Sequence, residues 1–290
     1  MYGNQTKKSS HTLTSYSNEE PFIYGENYLP GLGYSIVGEI GSGSCGVVYK
    51  AWHKRLKKEI VIKELAGGVT NTIEVCRNEV EALKNIKNMH IPQVYDFIMD
   101  QDRSFTVMEY VEGSSLDKHL RGNKGFAKQV VCKWYYQLAL ALEALHKNNV
   151  CHRDIKPSNI ILGNNGDVCL IDYNSARVYG NNTGVISRSI GYASPEQQKY
   201  FIMCAERRND NNVNAVDWKL SDIYSLGASM YHALKGRRPP IVVDENIILF
   251  DENEANDSLE KIIECSMKIN PKERYCTARE LKIAISKVKL

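Results

Sequence analysis

Four side chains in residues 150–173 (VCHRDIKPSNIILGNNGDVCLIDY) have the types and spacing of a metal-assisted reaction site. Asp154, Lys156 and Asn159 stand close together, and Asp172 follows an apolar run further along the chain. Asn159 and Asp172 offer the oxygen ligands that a hard cation such as Mg²⁺ prefers. Asp154 is then available to accept a proton from a hydroxyl nucleophile.

A predicted β-hairpin would position these residues. The turn GNNG at 163–166 contains residues that tolerate positive φ, and it separates two β-rich runs at 160–162 and 168–171. Folding the hairpin places Asp172 beside the loop 154–159. The two oxygen ligands could therefore share one cation.

A glycine-rich segment, GSGSCG at 41–46, is a candidate for phosphate binding. Without a Cβ in the way, glycine backbone amides can approach phosphate oxygens closely. A dinucleotide fingerprint needs a helix directly after its glycines, and a P-loop needs Lys-Ser/Thr after its last glycine. The β-rich run VVYKAW follows instead, at 47–52. The flanking residues therefore argue against both of these motifs.

Five segments of the chain resemble sequence motifs of one enzyme family, and they follow one another in the order of that family. HRDIKPSN at 152–159 resembles the catalytic loop H-R-D-L-x-x-x-N, and GSGSCGVV at 41–48 resembles the loop G-x-G-x-x-G-x-V. EIVIK at 59–63 resembles the V-A-I-K strand. DYN at 172–174 stands in the place of Asp-Phe-Gly, and SPE at 194–196 in the place of Ala-Pro-Glu.

The chain looks most like bacterial eukaryotic-like serine/threonine protein kinases, and the resemblance extends over residues 34–290. It implies an α+β, two-lobed protein-kinase-like fold. In that fold a small antiparallel β-sheet N-lobe with one helix precedes a larger, mainly α-helical C-lobe. We expect a flexible N-terminal tail at 1–28, the N-lobe at 29–111 and the C-lobe at 112–290.

The resemblance also implies a role for each polar residue of the site. Asp154 and Lys156 would be catalytic, Asp154 by deprotonating the acceptor hydroxyl and Lys156 by stabilising the transferring phosphoryl group. Asn159 and Asp172 would hold Mg²⁺, with Mn²⁺ as an alternative ion, and Lys63 would grip the α- and β-phosphates of ATP.

Further residues would surround the nucleotide. Glu79, on a helix predicted over 73–89, is the expected partner of Lys63, with Glu81 as the fallback. Met108 would gate the rear pocket, and the backbone of residues 109–111 would hydrogen-bond the adenine. The predicted nucleotide-binding residues are Ile40, Gly41, Ser42, Gly43, Ser44, Cys45, Gly46, Val48, Val61, Lys63, Glu79, Met108, Glu109, Val111 and Ile161.

Three of the departures from the family pattern lie in the V-A-I-K and Asp-Phe-Gly motifs. Val61 replaces an alanine and would narrow the roof of the adenine pocket. Tyr173 replaces phenylalanine and needs a partner for its hydroxyl if it is buried. Asn174 replaces glycine, although asparagine tolerates positive φ well. Because Asp172 is unchanged, these departures bear on the switching of the loop more than on its chemistry.

The resemblance assigns the activation segment to the residues between DYN and SPE. Thr183 and Ser187 are the favoured phosphate acceptors, and Arg153 supplies a cation that such a phosphate could neutralise. Ser189 is expected to hydrogen-bond both Asp154 and Lys156.

Two structural roles follow further along the chain. A helix with Ser221 as its N-cap would carry Asp222, which would brace the catalytic loop. Arg274 would pair with Glu196. A third helix, predicted over 129–147 from its apolar stripe, would deliver the chain to the catalytic loop.

Composition constrains the class of protein. The 290 residues are 43% hydrophobic and 24% charged, as in ordinary globular proteins, and the net charge of +3 is too weak to predict a nucleic-acid partner. The eight cysteines include no C-x-x-C pair, and no signal-peptide pattern opens the chain. We therefore expect reduced thiols, no membrane segment and a cytoplasmic location.

These observations predict ATP-dependent phosphoryl transfer to serine and threonine hydroxyls of protein substrates, including autophosphorylation through a transient homodimer. Two alternatives remain open. One is a pseudokinase that binds nucleotide and acts as a scaffold, and the other is a small-molecule phosphotransferase with the same fold.

Overall fold

The computed structural model describes most of the chain outside the N-terminal segment and several internal stretches. The described residues are 29, 31–43, 46–65, 80–81, 83–100, 103–173, 175–178, 189–206, 216–241, 249–250 and 258–289.

An antiparallel sheet of five strands forms the N-terminal lobe, in the order β1-β2-β3-β5-β4. Its strands are β1 (Tyr34–Gly43), β2 (Gly46–His53), β3 (Lys58–Leu65), β4 (Val94–Asp100) and β5 (Arg103–Glu109). Side chains alternate between the two faces of a strand. On β3, Ile60 and Ile62 are therefore buried in the core of this lobe, whereas Val61 and Lys63 project to the opposite face.

Helices dominate the rest of the described chain. They are α1 (Leu116–Leu120), α2 (Lys128–Lys147), α3 (Pro195–Ala205), α4 (Trp218–Lys235), α5 (Ser258–Ser266) and α6 (Ala278–Ser286). The larger hydrophobic core surrounds α2 and α4. Both helices carry buried residues along most of their length, so they form the framework on which the loops of the site rest.

Five short strands follow the N-terminal sheet in the described part of the chain, one before α1 and four between α2 and α3. They are β6 (Gly113–Ser115), β7 (Val150–Cys151), β8 (Ile160–Gly163), β9 (Val168–Leu170) and β10 (Arg177–Val178). β6, β8 and β9 form one antiparallel sheet, and β7 pairs with β10. β8 and β9 are the predicted hairpin, and Gly166 in its turn has φ 77°.

The predicted two-lobed α+β fold is confirmed. The helix predicted over 73–89 is partly outside the described residues, and its described part ends at Leu83. The predicted extension to Met89 is wrong. After Leu83 the chain forms a turn, in which the Ile86 N–H donates to the Leu83 carbonyl at 2.9 Å. The side-chain oxygen of Asn88 then accepts the His90 backbone N–H at 2.8 Å, and its amide donates to the Leu140 carbonyl on α2 at 3.1 Å. These tertiary contacts take the place of the last turn of the predicted helix.

The predicted N-cap of α4 is also wrong. Asp217 caps this helix, since its carboxylate accepts the backbone N–H groups of Lys219 and Leu220 at 3.1 and 3.3 Å. Ser221 lies inside the helix, where its hydroxyl donates to the side-chain oxygen of Gln197 at 2.9 Å. Aspartate and serine are both good N-capping residues, so residue type alone did not decide between Asp217 and Ser221.

The segment between Leu83 and β4 connects the sheet lobe to the helical lobe through hydrogen bonds to β9. His90 Nδ1 lies 2.8 Å from the Val168 carbonyl, and the Leu170 N–H donates to the His90 carbonyl at 2.9 Å. Leu83 and Ile86 are buried in the core of the helical lobe.

Within the described part of the chain, no helix has both the length and the apolar character needed to cross a membrane. The domain boundaries at 28 and 111 remain predictions.

Candidate active site

A buried carboxylate on α4 holds the loop that follows β7. Asp222 accepts the backbone N–H groups of His152 and Arg153, each at 2.8 Å, and lies 3.1 Å from His146 Nε2 on α2. Arg153 has φ 69°, a strained value for a residue with a side chain. The bonds to Asp222 stabilise this conformation, and they place Asp154 next in the chain. The predicted bracing role of Asp222 agrees with these contacts.

Lys156, Ser189 and Asn159 are polar residues whose side chains contact the Asp154 carboxylate. Lys156 Nζ lies 2.8 Å from its Oδ2, and the Ser189 hydroxyl donates to its Oδ1 at 2.7 Å. Lys156 also donates to the Ser189 oxygen at 3.1 Å, so the predicted bonds of Ser189 are present. The Asn159 amide donates to the Asp154 backbone carbonyl at 2.8 Å and to its Oδ2 at 3.2 Å. The carboxylate is therefore surrounded by donors and held in one orientation.

The hairpin brings Asn159 and Asp172 to one place, as predicted. The Ile171 N–H donates to the Asn159 carbonyl at 2.8 Å, which fixes the two ends of the hairpin together. Asp172 follows with φ 65°, and its Oδ1 lies 3.0 Å from Lys63 Nζ on β3. One ion pair thus joins the sheet lobe to the helical lobe across the site.

Tyr173 is fully buried, and its hydroxyl donates to the Leu170 carbonyl at 2.9 Å. Its ring packs against the ring of His152 with centroids 4.8 Å apart. The hydroxyl partner that this tyrosine needs is therefore present. Asn174 lies outside the described residues.

A cavity of about 450 Å³ lies between the sheet and the hairpin, a volume typical of small-ligand sites. The pairing of β2, β3 and β5 explains which side chains form the sheet side of this cavity. Val48 pairs with Lys63 and Val61 pairs with Met108, so these four side chains share the face that β3 turns away from the core. The lining residues are Ile40, Gly41, Ser42, Gly46, Val48, Val61, Lys63, Pro92, Met108, Glu109, Tyr110, Val111, Ser158, Asn159, Ile161, Ile171 and Asp172.

Most of the predicted nucleotide-binding residues line this one cavity. Gly43 pairs with Gly46 at the tip of the β1–β2 hairpin. Ser44, Cys45 and Glu79 lie outside the described residues.

The predicted site did not include three lining residues: Pro92, Ser158 and Ile171. Tyr110 belongs to the predicted adenine-binding segment 109–111. Ser158 and Ile171 are direct neighbours of predicted site residues, so adjacency was an available signal for them.

The cavity suits a ligand with one apolar part and one anionic part. Its walls are mostly aliphatic, and Lys63 lies at its polar end beside Asp172. A Cβ built on Gly41 would meet no protein atom within 4 Å, so packing in the chain itself does not demand this glycine. The Glu109 N–H donates to the Gln93 carbonyl at 2.8 Å. Among the described residues Val111 forms no such bond, so its backbone can serve a ligand.

Glu81 and Arg153 are charged residues for which the sequence predicted ionic partners. Glu81 is exposed and pairs with Lys84 at 2.5 Å, so it is wrong as the fallback partner of Lys63. It lies on the solvent face of its helix, unlike Leu83. Arg153 is buried, with its guanidinium over the Trp218 ring at 3.9 Å. The proposed phosphate acceptors of the activation segment, Thr183 and Ser187, lie outside the described residues.

Burial also sets the ionisation of one thiol near the cavity. Cys169 lies on β9, beside the hairpin strand that carries Ile161. Desolvation, with a smaller effect from the Glu109 carboxylate, raises the pKa of Cys169 to about 12. The thiol is therefore neutral at physiological pH and adds no charge to the site.

Comparison with known proteins agrees with this geometry. The protein kinase domain model matches residues 34–287. A probable serine/threonine-protein kinase of Clostridium perfringens is 29% identical over 88% of this chain and 38% of its own length. One of Clostridium acetobutylicum is 30% identical over 88% of this chain and 40% of its own. An Aurora kinase of Schizosaccharomyces pombe is 32% identical over 69% of this chain and 54% of its own.

The chain thus spans about two fifths of the length of the two clostridial relatives. The match to the family model nevertheless covers nearly all of the chain, including both lobes and the loop around Asp154. The chain belongs to the protein kinase family, contains its catalytic domain, and has serine/threonine-protein kinases as its named relatives.

Proposed function

We propose that the protein transfers the terminal phosphoryl group of ATP to serine and threonine hydroxyls of protein substrates. The observation that carries the proposal is the Ser189 hydroxyl donating to Asp154 Oδ1 at 2.7 Å, beside Lys156. This contact means that a hydroxyl fits within hydrogen-bond distance of the Asp154 carboxylate while the Lys156 ammonium group lies beside both.

Asp154 has the geometry of a general base for such a reaction. A base must lie within hydrogen-bond reach of the proton that it accepts, and a substrate hydroxyl placed like that of Ser189 meets this requirement. The ammonium group of Lys156 lies beside the same oxygen atoms, where it would stabilise negative charge on the transferring phosphoryl group. Most of the catalysis would come from placement and charge, because this transfer needs little covalent chemistry from the protein.

The family uses ATP and a divalent metal ion. In our proposal the cavity of about 450 Å³ holds the nucleotide, with its base against Val48, Val61 and Met108. Lys63 would bind phosphate oxygens at the polar end. Asn159 and Asp172 would hold Mg²⁺, or Mn²⁺ in its place, since both side chains present oxygen atoms at the cavity wall. The ion, when bound, would neutralise charge on the phosphates.

We further propose autophosphorylation on Thr183 or Ser187 through a transient homodimer in the cytoplasm. The activation segment reaches Ser189, which already contacts Asp154, so hydroxyls a few residues away could reach the same carboxylate of a second copy. Protein substrates rather than nucleic acid fit the family and the weak net charge.

The test compares the unmutated chain with Asp154→Asn and Asp172→Ala after incubation with ATP and either Mg²⁺ or Mn²⁺. Intact mass reports self-modification, and radiolabelled ATP with a generic protein such as casein reports transfer. Asp167→Asn is the matched control, because Asp167 lies at the far end of the same hairpin, outside the cavity. We expect transfer by the unmutated and control chains only, with circular dichroism unchanged in all four.

Turnover that survives in Asp172→Ala would refute the metal assignment. Nucleotide binding without transfer to protein by the unmutated chain would support the scaffold instead. Transfer to small molecules alone would support the small-molecule phosphotransferase.

A further inference from the structure

A second, larger cavity of about 1060 Å³ opens beside Asp154 in the helical lobe. Its walls are the end of α1, the catalytic loop at Lys156, the segment after Ser189 and the chain that follows α4. It meets the nucleotide cavity at Ser158, which lines both. A chain lying in this groove would therefore pass the Asp154 carboxylate.

The groove is strongly basic. Among the residues that the structure describes, its lining contains one carboxylate, Asp117, and five cationic side chains: Arg121, Lys156, Lys235, Arg237 and Arg238.

Three of the five cations have partners. Lys156 contacts Asp154, and Arg121 lies 4.0 Å from Asp117. Lys235 Nζ lies over the Phe250 ring at 5.5 Å. Arg237 and Arg238 are exposed, and neither has an ion-pair partner within the part of the chain that the structure describes. These two guanidinium groups are available to a ligand in the groove.

The backbone that carries the two arginines is firmly held. Gly236 ends α4 with φ 68°, and its N–H donates to the His232 carbonyl at 2.9 Å. A Cβ built on Gly236 would lie 2.5 Å from the Gly125 nitrogen, so the two chain segments touch directly. Nearby, the Phe126 N–H donates to the Ala233 carbonyl at 2.8 Å. The arginines therefore project from a fixed turn, which lowers the entropy cost of binding.

The histidine of the groove does not supply this charge. His232 Nδ1 lies 2.6 Å from the Tyr192 hydroxyl. Burial, and then the positive charge of Arg238, lower the pKa of His232 below its ordinary value, so the ring is neutral at physiological pH. The positive potential of the groove comes from the lysine and arginine side chains.

We propose that this groove selects protein substrates that carry an anionic group, carboxylate or phosphate, close to the acceptor hydroxyl, with Arg237 and Arg238 as the specificity-determining residues. The inference rests on the proposed function, since it names the substrate class of the same site. Guanidinium groups bind carboxylate and phosphate through paired hydrogen bonds, which matches either anion.

The experiment uses peptides with one serine acceptor and flanking residues that are all glutamate, all glutamine or all lysine, together with one flanked by phosphoserine. kcat and KM are measured for each peptide with the unmutated chain. We expect kcat/KM for the glutamate peptide to exceed that of the glutamine peptide about threefold to tenfold, as exposed charge pairs allow, and chiefly through KM. The phosphoserine arm distinguishes the two anions.

Three double variants test whether Arg237 and Arg238 cause this preference. In Arg237→Ala/Arg238→Ala the ratio of glutamate to glutamine peptide should fall to about one, and in Arg237→Glu/Arg238→Glu the lysine peptide should become the better substrate. Lys272→Ala/Arg279→Ala removes the same charge from exposed sites away from the groove and should keep the original ratio. The advantage should also shrink as salt rises, because exposed charges are screened.

Equal or better turnover of the glutamine peptide by the unmutated chain would overturn the inference, and so would a ratio unchanged in the double alanine variant. Fluorescence anisotropy of the same peptides reports binding separately from turnover. Absence of transfer to every peptide and to casein would contradict the proposed function, whereas the anisotropy ranking would still support or overturn the groove's preference.

Discussion

Replacing Asp222 with asparagine should weaken the hydrogen bonds that hold the loop around Asp154, although the two side chains have nearly the same shape. The carboxylate receives three donors: the N–H groups of His152 and Arg153 and Nε2 of His146. An asparagine has one oxygen, so its own amide hydrogens must face at least one of these buried donors. A buried N–H left without an acceptor costs about 1–3 kcal/mol, and the remaining bonds lose their charge assistance. We expect Asp222→Asn to lower the free energy of unfolding by roughly 2–4 kcal/mol.

The effect on activity should be larger than the loss of stability suggests. Arg153 has φ 69°, a conformation that costs on the order of 1–3 kcal/mol and persists because Asp222 holds it. Once it relaxes, Asp154 moves with it, and the contacts to Lys156 and Ser189 are lost. A fall in kcat of at least about tenfold, equivalent to about 1.4 kcal/mol, is expected at a temperature where the variant is folded.

Asp217→Asn is the matched control. Asp217 caps the same helix, and asparagine caps a helix about as well as aspartate, so both unfolding and kcat should stay near their unmutated values. Urea unfolding and steady-state kinetics on the three chains make the comparison. A kcat within twofold of the unmutated chain in Asp222→Asn, with unfolding changed by less than about 0.5 kcal/mol, would refute the reasoning.

Three further outcomes are expected. The guanidinium of Arg274 donates five hydrogen bonds, two of them to Glu196 at 2.6 and 2.9 Å. Lysine cannot replace this planar set of donors, so Arg274→Lys should lower the free energy of unfolding in urea by about 1–3 kcal/mol. An unchanged midpoint of urea unfolding would contradict this prediction. Iodoacetamide at pH 8 should label the exposed Cys276 and spare Cys169, whose pKa burial raises to about 12, and peptide mass mapping would reveal equal labelling if this is wrong. Hydrogen bonds from Lys133 and then Gln137 lower the pKa of Asp167 in the folded state. The ionised carboxylate therefore stabilises the fold above the ordinary aspartate pKa, and this stabilisation is lost as pH falls through the lowered pKa. Asp167→Asn should lower the Tm at pH 7 but not in acid, and a lower Tm that persists in acid would refute the assignment.

Local patterns in the sequence determined much of the site. The positive-φ residues of the turn at 163–166, between two β-rich runs, predicted the hairpin that joins Asn159 to Asp172. Lys63 was assigned from the resemblance of EIVIK to the V-A-I-K strand, and the alternation of side chains on β3 explains why it lies opposite the core. The hairpin and the alternation follow from short-range rules of backbone geometry and burial, so a reader of the sequence can derive them. The family resemblance supplied the long-range assignments of Asp222, Ser189 and the Arg274–Glu196 pair.

Other features depended on contacts between distant segments. The segment after Leu83 is a turn and not the predicted helix, and its Asn88 contacts the Leu140 carbonyl on α2. The start of α4 depends on which capping residue meets free N–H groups. The basic groove unites α1, the catalytic loop and the chain after α4, three segments without any common sequence pattern. The sequence by itself determined which side chains could do chemistry. Only the tertiary structure decided which of them meet, because burial and pairing of polar groups are settled by all of the neighbours at once.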